Sequence, residues 1–409
     1  MSAHEHARPI GGPLMASPMK LLLAVFGVAA VVMVYRFFAG IGPVSNMTDG
    51  FTWGIWEPIN VVVFTGIGAG ALGVGLLCYL LNRGEYHPLV RPAVLLGAVA
   101  YTLGAASIMV ALGRYWNAYW LPFIPYWNLS SALLEVAVCV LAYVIVLWIE
   151  VLPSILEGAA ASSNAFLRSL GRTWGPRLQK LMPYIIALAV VLPTMHQSSL
   201  GGLMLIAGPK IHPLWHNALL PALFLISCLS MGYGAVVVLV NILNLTWKAR
   251  LDQRLFAEMS KVNAGLLILY LVLRVGEVVV HGKLRYLGPN FPTFLFLFEL
   301  ALFAVPAAMF LSPRVAADRG KLFGAALLAL AGGACYRVDT YMTMYRPAGW
   351  TDGVANPAGW NYFPSVGETV VTVGMACLGL AIYIFISRLF PVVVVDDDRS
   401  ASSHQGFTP

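Results

Sequence analysis

The chain has 409 residues, 59% of them hydrophobic and 11% charged, with a mean hydropathy of +0.79. A soluble domain carries about 25% charged residues, so a soluble enzyme, a nucleic-acid binder and a disordered chain are all excluded. The net charge of +7 then marks loops on the cytoplasmic side of a membrane rather than a nucleic-acid partner.

Residues 1–18 are polar and read as a cytoplasmic segment. The apolar run 19–39 is too long for the core of a signal peptide and lacks a small-residue cleavage site, so it is the first span. Further runs of spanning length follow at 58–81, 92–112, 131–150, 181–206, 218–246, 262–281, 291–311, 321–338 and 366–388. The expected fold is an all-α polytopic membrane protein of ten transmembrane helices. Pro193 and the Gly201–Gly202 pair interrupt the fifth run, and a broken helix survives where it is buried in protein or lines a cavity. Residues 19–390 form the transmembrane domain, and 391–409 a cytoplasmic tail that is disordered beyond its aspartates.

Seventeen of the 25 Lys and Arg residues fall on the side of the N-terminal segment and alternate loops, 151–180 among them. The positive-inside rule makes both termini cytoplasmic, as an even number of spans requires. The opposite-side connection 114–128 carries Tyr115, Trp116, Trp120 and Trp127, an interfacial composition. The five cysteines (Cys78, Cys139, Cys228, Cys335 and Cys377) are scattered singly through apolar runs. With no CxxC or CxxCH, the chain has no self-contained iron–sulfur, zinc or c-haem site.

Charges within a membrane are costly and usually face the interior, where they pair or serve a pathway. Counting depth at about 1.5 Å per residue, Glu135, His196, Arg274 and Glu277 lie in the outer half, with Arg274 and Glu277 on neighbouring positions of one helix face. A buried carboxylate near histidine and arginine can exchange protons near neutral pH, so these four are candidate catalytic groups. Glu57, Arg337 and Glu368 read as helix-end residues. Glu150 stands apart at the inner end of the fourth span, about 22 Å below Glu135. Three functions compete. A quinone pocket needs an apolar cleft with a few polar groups that move protons. A b-type cytochrome needs paired histidines on facing helices, and only His196 lies clearly within a span. A secondary transporter needs a second broken helix to match the fifth, and Pro306 matches Pro193 poorly.

The segments NRGEYHPLVRPA (82–93), GRYWN (113–117), LPTMHQSSLGGLM (192–204), HPLW (212–215) and RVGE (274–277) resemble the NrfD/HybB family of quinone-reactive membrane subunits of respiratory complexes. The likeness is strongest to the membrane subunit of hydrogenase-2-type nickel–iron hydrogenases, and it spans the whole chain. It implies two four-helix bundles, made of spans two to five and six to nine, plus flanking helices. It also implies menaquinone or ubiquinone as substrate, and no haem or iron–sulfur cluster in this chain. The partners implied are a periplasmic ferredoxin-like iron–sulfur subunit and, beyond it, a catalytic or multihaem cytochrome subunit. By this resemblance Glu135 and Glu150 match acidic positions proposed for quinone protonation and proton passage, and His196 matches the motif histidine. Arg114, Tyr101, Glu57 and Gln197 are the expected quinone-binding residues. Tyr101 and Asn60 are polar groups available to bridge Glu150 to Glu135. The expected setting is the bacterial cytoplasmic membrane, with the partner on the outer loops near 113–130 and 339–365.

Overall fold

The computed structural model describes residues 7–48, 53–247, 253–345 and 362–394. Among the described residues, ten helices are long and apolar enough to cross a membrane. They are α1 (Ser17–Ala39), a second span built around α2 (Phe64–Gly75), α3 (His87–Ala111), α4 (Ala132–Ala160), α5 (Ala165–Ala207), α6 (Leu220–Trp247), α7 (Gln253–Val280), α8 (Phe291–Phe310), α10 (Arg319–Met342) and α11 (Val366–Leu389). A single helical turn, α9 (Pro313–Ala316), links α8 to α10. The outer part of the expected docking loop (346–361) and the tail from 395 onward lie outside the described residues.

Local chemistry sets several boundaries. Asn164 caps α5 by accepting from the Phe166 and Leu167 amides, and Asn290 caps α8 through the Thr293 amide. Ser365 and Glu368 form a reciprocal capping box at the start of α11. Gly40 ends α1 with φ +90°, a conformation side chains rarely adopt.

Helix α2 packs on α3, α3 on α4, α4 on α5, and α5 closes the ring against α2. A second ring runs through α6, α7, α8 and α10. These are the two four-helix bundles, joined where α2 and α5 both meet α6. Helices α1 and α11 pair with each other on the flank, with α11 also touching α3. The bundles meet backbone to backbone at Gly70 and Gly232, where a Cβ on Gly232 would fall 2.4 Å from the Gly70 nitrogen. Both described ends of the chain meet on one face: the Arg8, Ile10 and Gly11 amides donate to the Val393, Ser387 and Arg388 carbonyls.

Two expectations are corrected. The fifth span is not broken. Helix α5 runs 43 residues with Pro176, Pro183 and Pro193 inside it, a length of about 64 Å. Proline removes a backbone donor and ordinarily kinks or breaks a helix interior, but α5 continues through Pro193 while packed along α4 and α6. The expected loop 151–180 is likewise helix but for its turn at 161–164, because α4 and α5 continue as a hairpin. Gly171 allows that contact, since a Cβ there would sit 2.4 Å from the Leu156 carbonyl oxygen. The irregular span is the second, where π-helical turns over Trp56–Val63 and Leu76–Leu80 flank α2. Such turns are frequent at functional sites.

Candidate functional site

Gln197 of α5 is fully buried and engaged at both ends of its carboxamide. Its Nε2 donates to Thr65 Oγ1 of α2 and to the Tyr101 hydroxyl of α3, both at 3.2 Å. Its Oε1 accepts from Arg337 Nη2 of α10 at 2.9 Å. Arg337 also donates to Ser227 Oγ at 2.7 Å and to the Phe224 carbonyl at 2.9 Å, both on α6. Tyr101 meets the edges of Tyr143 and His196, with ring centroids 4.6 and 5.6 Å away. One cluster therefore draws on α2, α3, α4, α5, α6 and α10. It lies about 8–16 Å inside the ends of those helices on the face opposite the described chain ends.

Several atoms at this cluster have no hydrogen-bond partner within the protein. They include both ring nitrogens of His196, the Tyr143 hydroxyl and Arg337 Nε, and both amide atoms of Asn60, about one turn before Thr65 in the second span, are also unpaired. Buried polar groups are ordinarily satisfied, because each unpaired one costs about 1–3 kcal/mol. A concentration of unpaired atoms beside Gln197 makes this cluster the candidate site.

The second bundle holds a contrasting centre. Arg274 Nε of α7 donates to Glu299 Oε1 of α8 at 2.9 Å, and both side chains are fully buried. Its Nη1 reaches the Leu214 carbonyl. The Glu299 carboxylate also accepts from Trp215 Nε1 and the Tyr270 hydroxyl, each at 2.7 Å. This charge is matched and its acceptors are filled, which is the arrangement of a structural buried pair.

The structure brings His196, Gln197 and Tyr101 together and leaves the other expected residues elsewhere. Arg274 and Glu277 do not pair: Glu277 sits at the end of α7, bonded to Lys283 and 3.4 Å from His281 Nδ1. Three residues of helix put the two on adjacent positions, but α8 supplies Arg274 with a nearer carboxylate. Arg114 is exposed, in the connection before α4. Glu57 is half-buried in the π-helical turn, with one carboxylate oxygen unpaired. Nearby Glu368 accepts from the Asn46 and Ser365 amides, both at 2.9 Å, which ties two connections to α11. Glu135 is exposed on the α4–α5 flank, where Ser199 Oγ donates to it at 2.5 Å. Glu150 lines a narrow cleft together with Tyr79, Tyr143, Ala71 and Ile186.

Of the two roles expected of Arg337 as a helix-end residue, reaching water or bridging helices, the structure shows the second: it is fully buried and bonds to α5 and α6. It lies five residues before the last residue of α10. The bundle turns it inward, toward α5 and α6. Thr65, Ser227 and Tyr143 carried no sequence signal either, being ordinary residues in apolar helices until packing joins them.

Ten spanning helices, eight of them in two four-helix bundles that enclose a buried polar cluster at their junction and two on the flank, define a multi-pass integral membrane protein. The chain belongs to the polysulphide reductase NrfD family, whose model matches residues 43–343. It is 32% identical over 390 residues to the probable Ni/Fe-hydrogenase 2 b-type cytochrome subunit of Escherichia coli (strain K12), covering 94% of this chain and 95% of that protein. It is 28% identical over 254 residues to the menaquinone reductase integral membrane subunit of Nitratidesulfovibrio vulgaris, covering 59% of this chain and 58% of that one. Over 392 residues it is 21% identical to the Hdr-like menaquinol oxidoreductase integral membrane subunit of Archaeoglobus fulgidus, covering 91% and 92%.

Proposed function

We propose that this chain is the quinone-reactive membrane subunit of a respiratory oxidoreductase complex in the bacterial cytoplasmic membrane, inactive without its partners. The observation that carries the reading is the buried Gln197 cluster with its unpaired neighbours His196 and Tyr143, in a chain whose relatives include subunits named for menaquinone chemistry. A quinone takes up two electrons and two protons to become a quinol. The electrons come from, or return to, an extracytoplasmic iron–sulfur partner seated on the face opposite the chain ends, which places both termini in the cytoplasm. Tyr101 and His196 offer a hydroxyl and an imidazole to the ring carbonyls, and Gln197, whose carboxamide is already bonded at both ends, holds the Tyr101 hydroxyl in place. Glu135 lies on the flank of the same helix pair and exchanges protons there. The cleft leads from Glu150 to Tyr143, which touches Tyr101. That order of groups supports a proton route from the chain-end face.

One relative's name specifies a b-type cytochrome, and the residues here do not fit a haem. Among the described residues within spans, His196 is the sole histidine in the core of a bundle, its ring packed against Tyr101. His212 and His216 lie in the connection between α5 and α6, and His281 follows α7. We therefore assign no step to haem.

The test is Gln197→Leu in the intact complex. Quinone turnover falls more than about tenfold, since one buried site donor is worth about that much, while the subunits still co-purify. Normal turnover in that variant would defeat the site assignment. An oxidation-sensitive α-band in stoichiometric amount from the purified chain would defeat the haem-free reading.

A further inference from the structure

Three arginines among the described residues are almost completely buried: Arg36, Arg274 and Arg337. A guanidinium stays protonated in proteins, so each brings a full positive charge into a low-dielectric interior. Burying such a charge without a counter-ion costs several kcal/mol. Arg274 has Glu299. Arg36 lies on the flanking helix α1 near its end, where it donates to the Leu112 carbonyl and faces the Tyr115 ring. Arg337 alone stands in the packed core between the bundles with no carboxylate bonded to it among the described residues. Its acceptors are the neutral Ser227 hydroxyl, Gln197 carboxamide and Phe224 carbonyl. The adjacent Cys228 thiol donates to the Leu225 carbonyl at 3.0 Å. Arg337 Nε has no partner at all, and Gly66 and Met231 close over that side.

The direction of this charge matters. Arg337 Nη2 holds Gln197 Oε1, and the other end of the same carboxamide holds Tyr101 and Thr65. The uncompensated cation is thus wired by one side chain into the cluster that carries the unpaired polar atoms. At an effective dielectric near 20, opposite unit charges about 7–10 Å apart attract by about 2 kcal/mol, more than tenfold in affinity, so a negative charge held at that range from Arg337 is favoured by about that much. A neutral ring gains almost nothing from the same charge.

We propose that Arg337 is a positioning and specificity-determining residue that makes this site prefer quinone rings bearing negative charge over neutral rings of the same shape. The inference rests on the quinone reading above and says which charge state of the ring the pocket favours. It explains why a cation is retained in the core without a carboxylate: a permanent acid partner would cancel the potential that the ligand is meant to feel.

The experiment uses the purified complex containing the full chain and two probes: a 2-hydroxy-3-alkyl-1,4-naphthoquinone, ionised at neutral pH, and its uncharged 2-methoxy counterpart with the same alkyl chain. Wild type binds the hydroxy probe at least about tenfold tighter than the methoxy probe. In Arg337→Gln that ratio falls to within about threefold while methoxy binding persists, and Arg337→Lys restores most of the preference. Should Arg337→Gln fail to assemble, Gln197→Glu places a carboxylate against the intact Arg337, and the ratio collapses in the same way. A preference unchanged in Arg337→Gln or Gln197→Glu, or absent from wild type, overturns the proposal while leaving the quinone site standing. If neither probe binds wild type, the quinone reading fails and this inference fails with it.

Discussion

Arg274 and Arg337 are equally buried, and the difference between them lies in one residue, Glu299. Replacing one member of a buried pair strands the other charge and costs about 3–5 kcal/mol. Glu299→Gln is therefore expected to lower the thermal stability of the detergent-solubilised complex markedly, while turnover per assembled complex stays near wild type. The double variant Arg274→Met with Glu299→Leu is expected to recover most of that stability, since well-packed apolar residues often replace a buried pair without loss. Fluorescence-detected size exclusion after heating reads the first effect, and a quinone assay on the surviving fraction reads the second. A collapse of turnover at unchanged stability would return Arg274 to the reacting site.

Among the elements, α2 does most to hold the two bundles together. Gly70 and Gly232 let its backbone meet that of α6, and no side chain fits between them. Gly232→Val is expected to destabilise the chain by about 1–3 kcal/mol or more through overpacking. Gly202→Ala in α5, where a Cβ would meet nothing within 4 Å, is expected to be neutral or to stabilise by about 0.5–1 kcal/mol. Thermal melts of both variants, compared side by side, check this, and equal melting temperatures would refute the contact's importance. The π-helical turns at both ends of α2, the first of which carries the unpaired Asn60, are marked by no periodicity in the sequence. The prolines of α5 mislead in the other direction: they suggest a break, but packing on α4 and α6 keeps the helix whole.

For the whole molecule, the arrangement of the bundles sets a direction across the membrane. The Gln197 cluster lies toward the face opposite the chain ends, and Glu150 lies toward the chain-end face in a cleft that reaches Tyr143. If protons follow that route, quinone reduction carries charge across the bilayer. Glu150→Gln in proteoliposomes is expected to reduce charge movement per quinone turned over, with quinone affinity unchanged. Charge movement equal to wild type would leave Glu150 as an interfacial residue. Glu135→Gln, on the α4–α5 flank, is expected to slow turnover itself, because only its titratable proton is removed.

Composition and hydropathy were enough to establish the membrane class, the ten spans and the helical fold, since apolar length is a local property of the chain and the bilayer thickness is constant. The family segments carried the bundle plan, and the MHQSS run pointed to His196 and Gln197. Which charges pair was beyond the sequence. Arg274 and Glu277 are neighbours along one helix, yet Arg274 bonds to Glu299 from α8; Arg337 reads as a helix end, yet it points into the core. Depth along a helix can be counted from sequence, but the direction a side chain faces, and the partner it meets there, depend on how separate helices pack. Only the tertiary structure decided that Arg274 would be neutralised and Arg337 left bare.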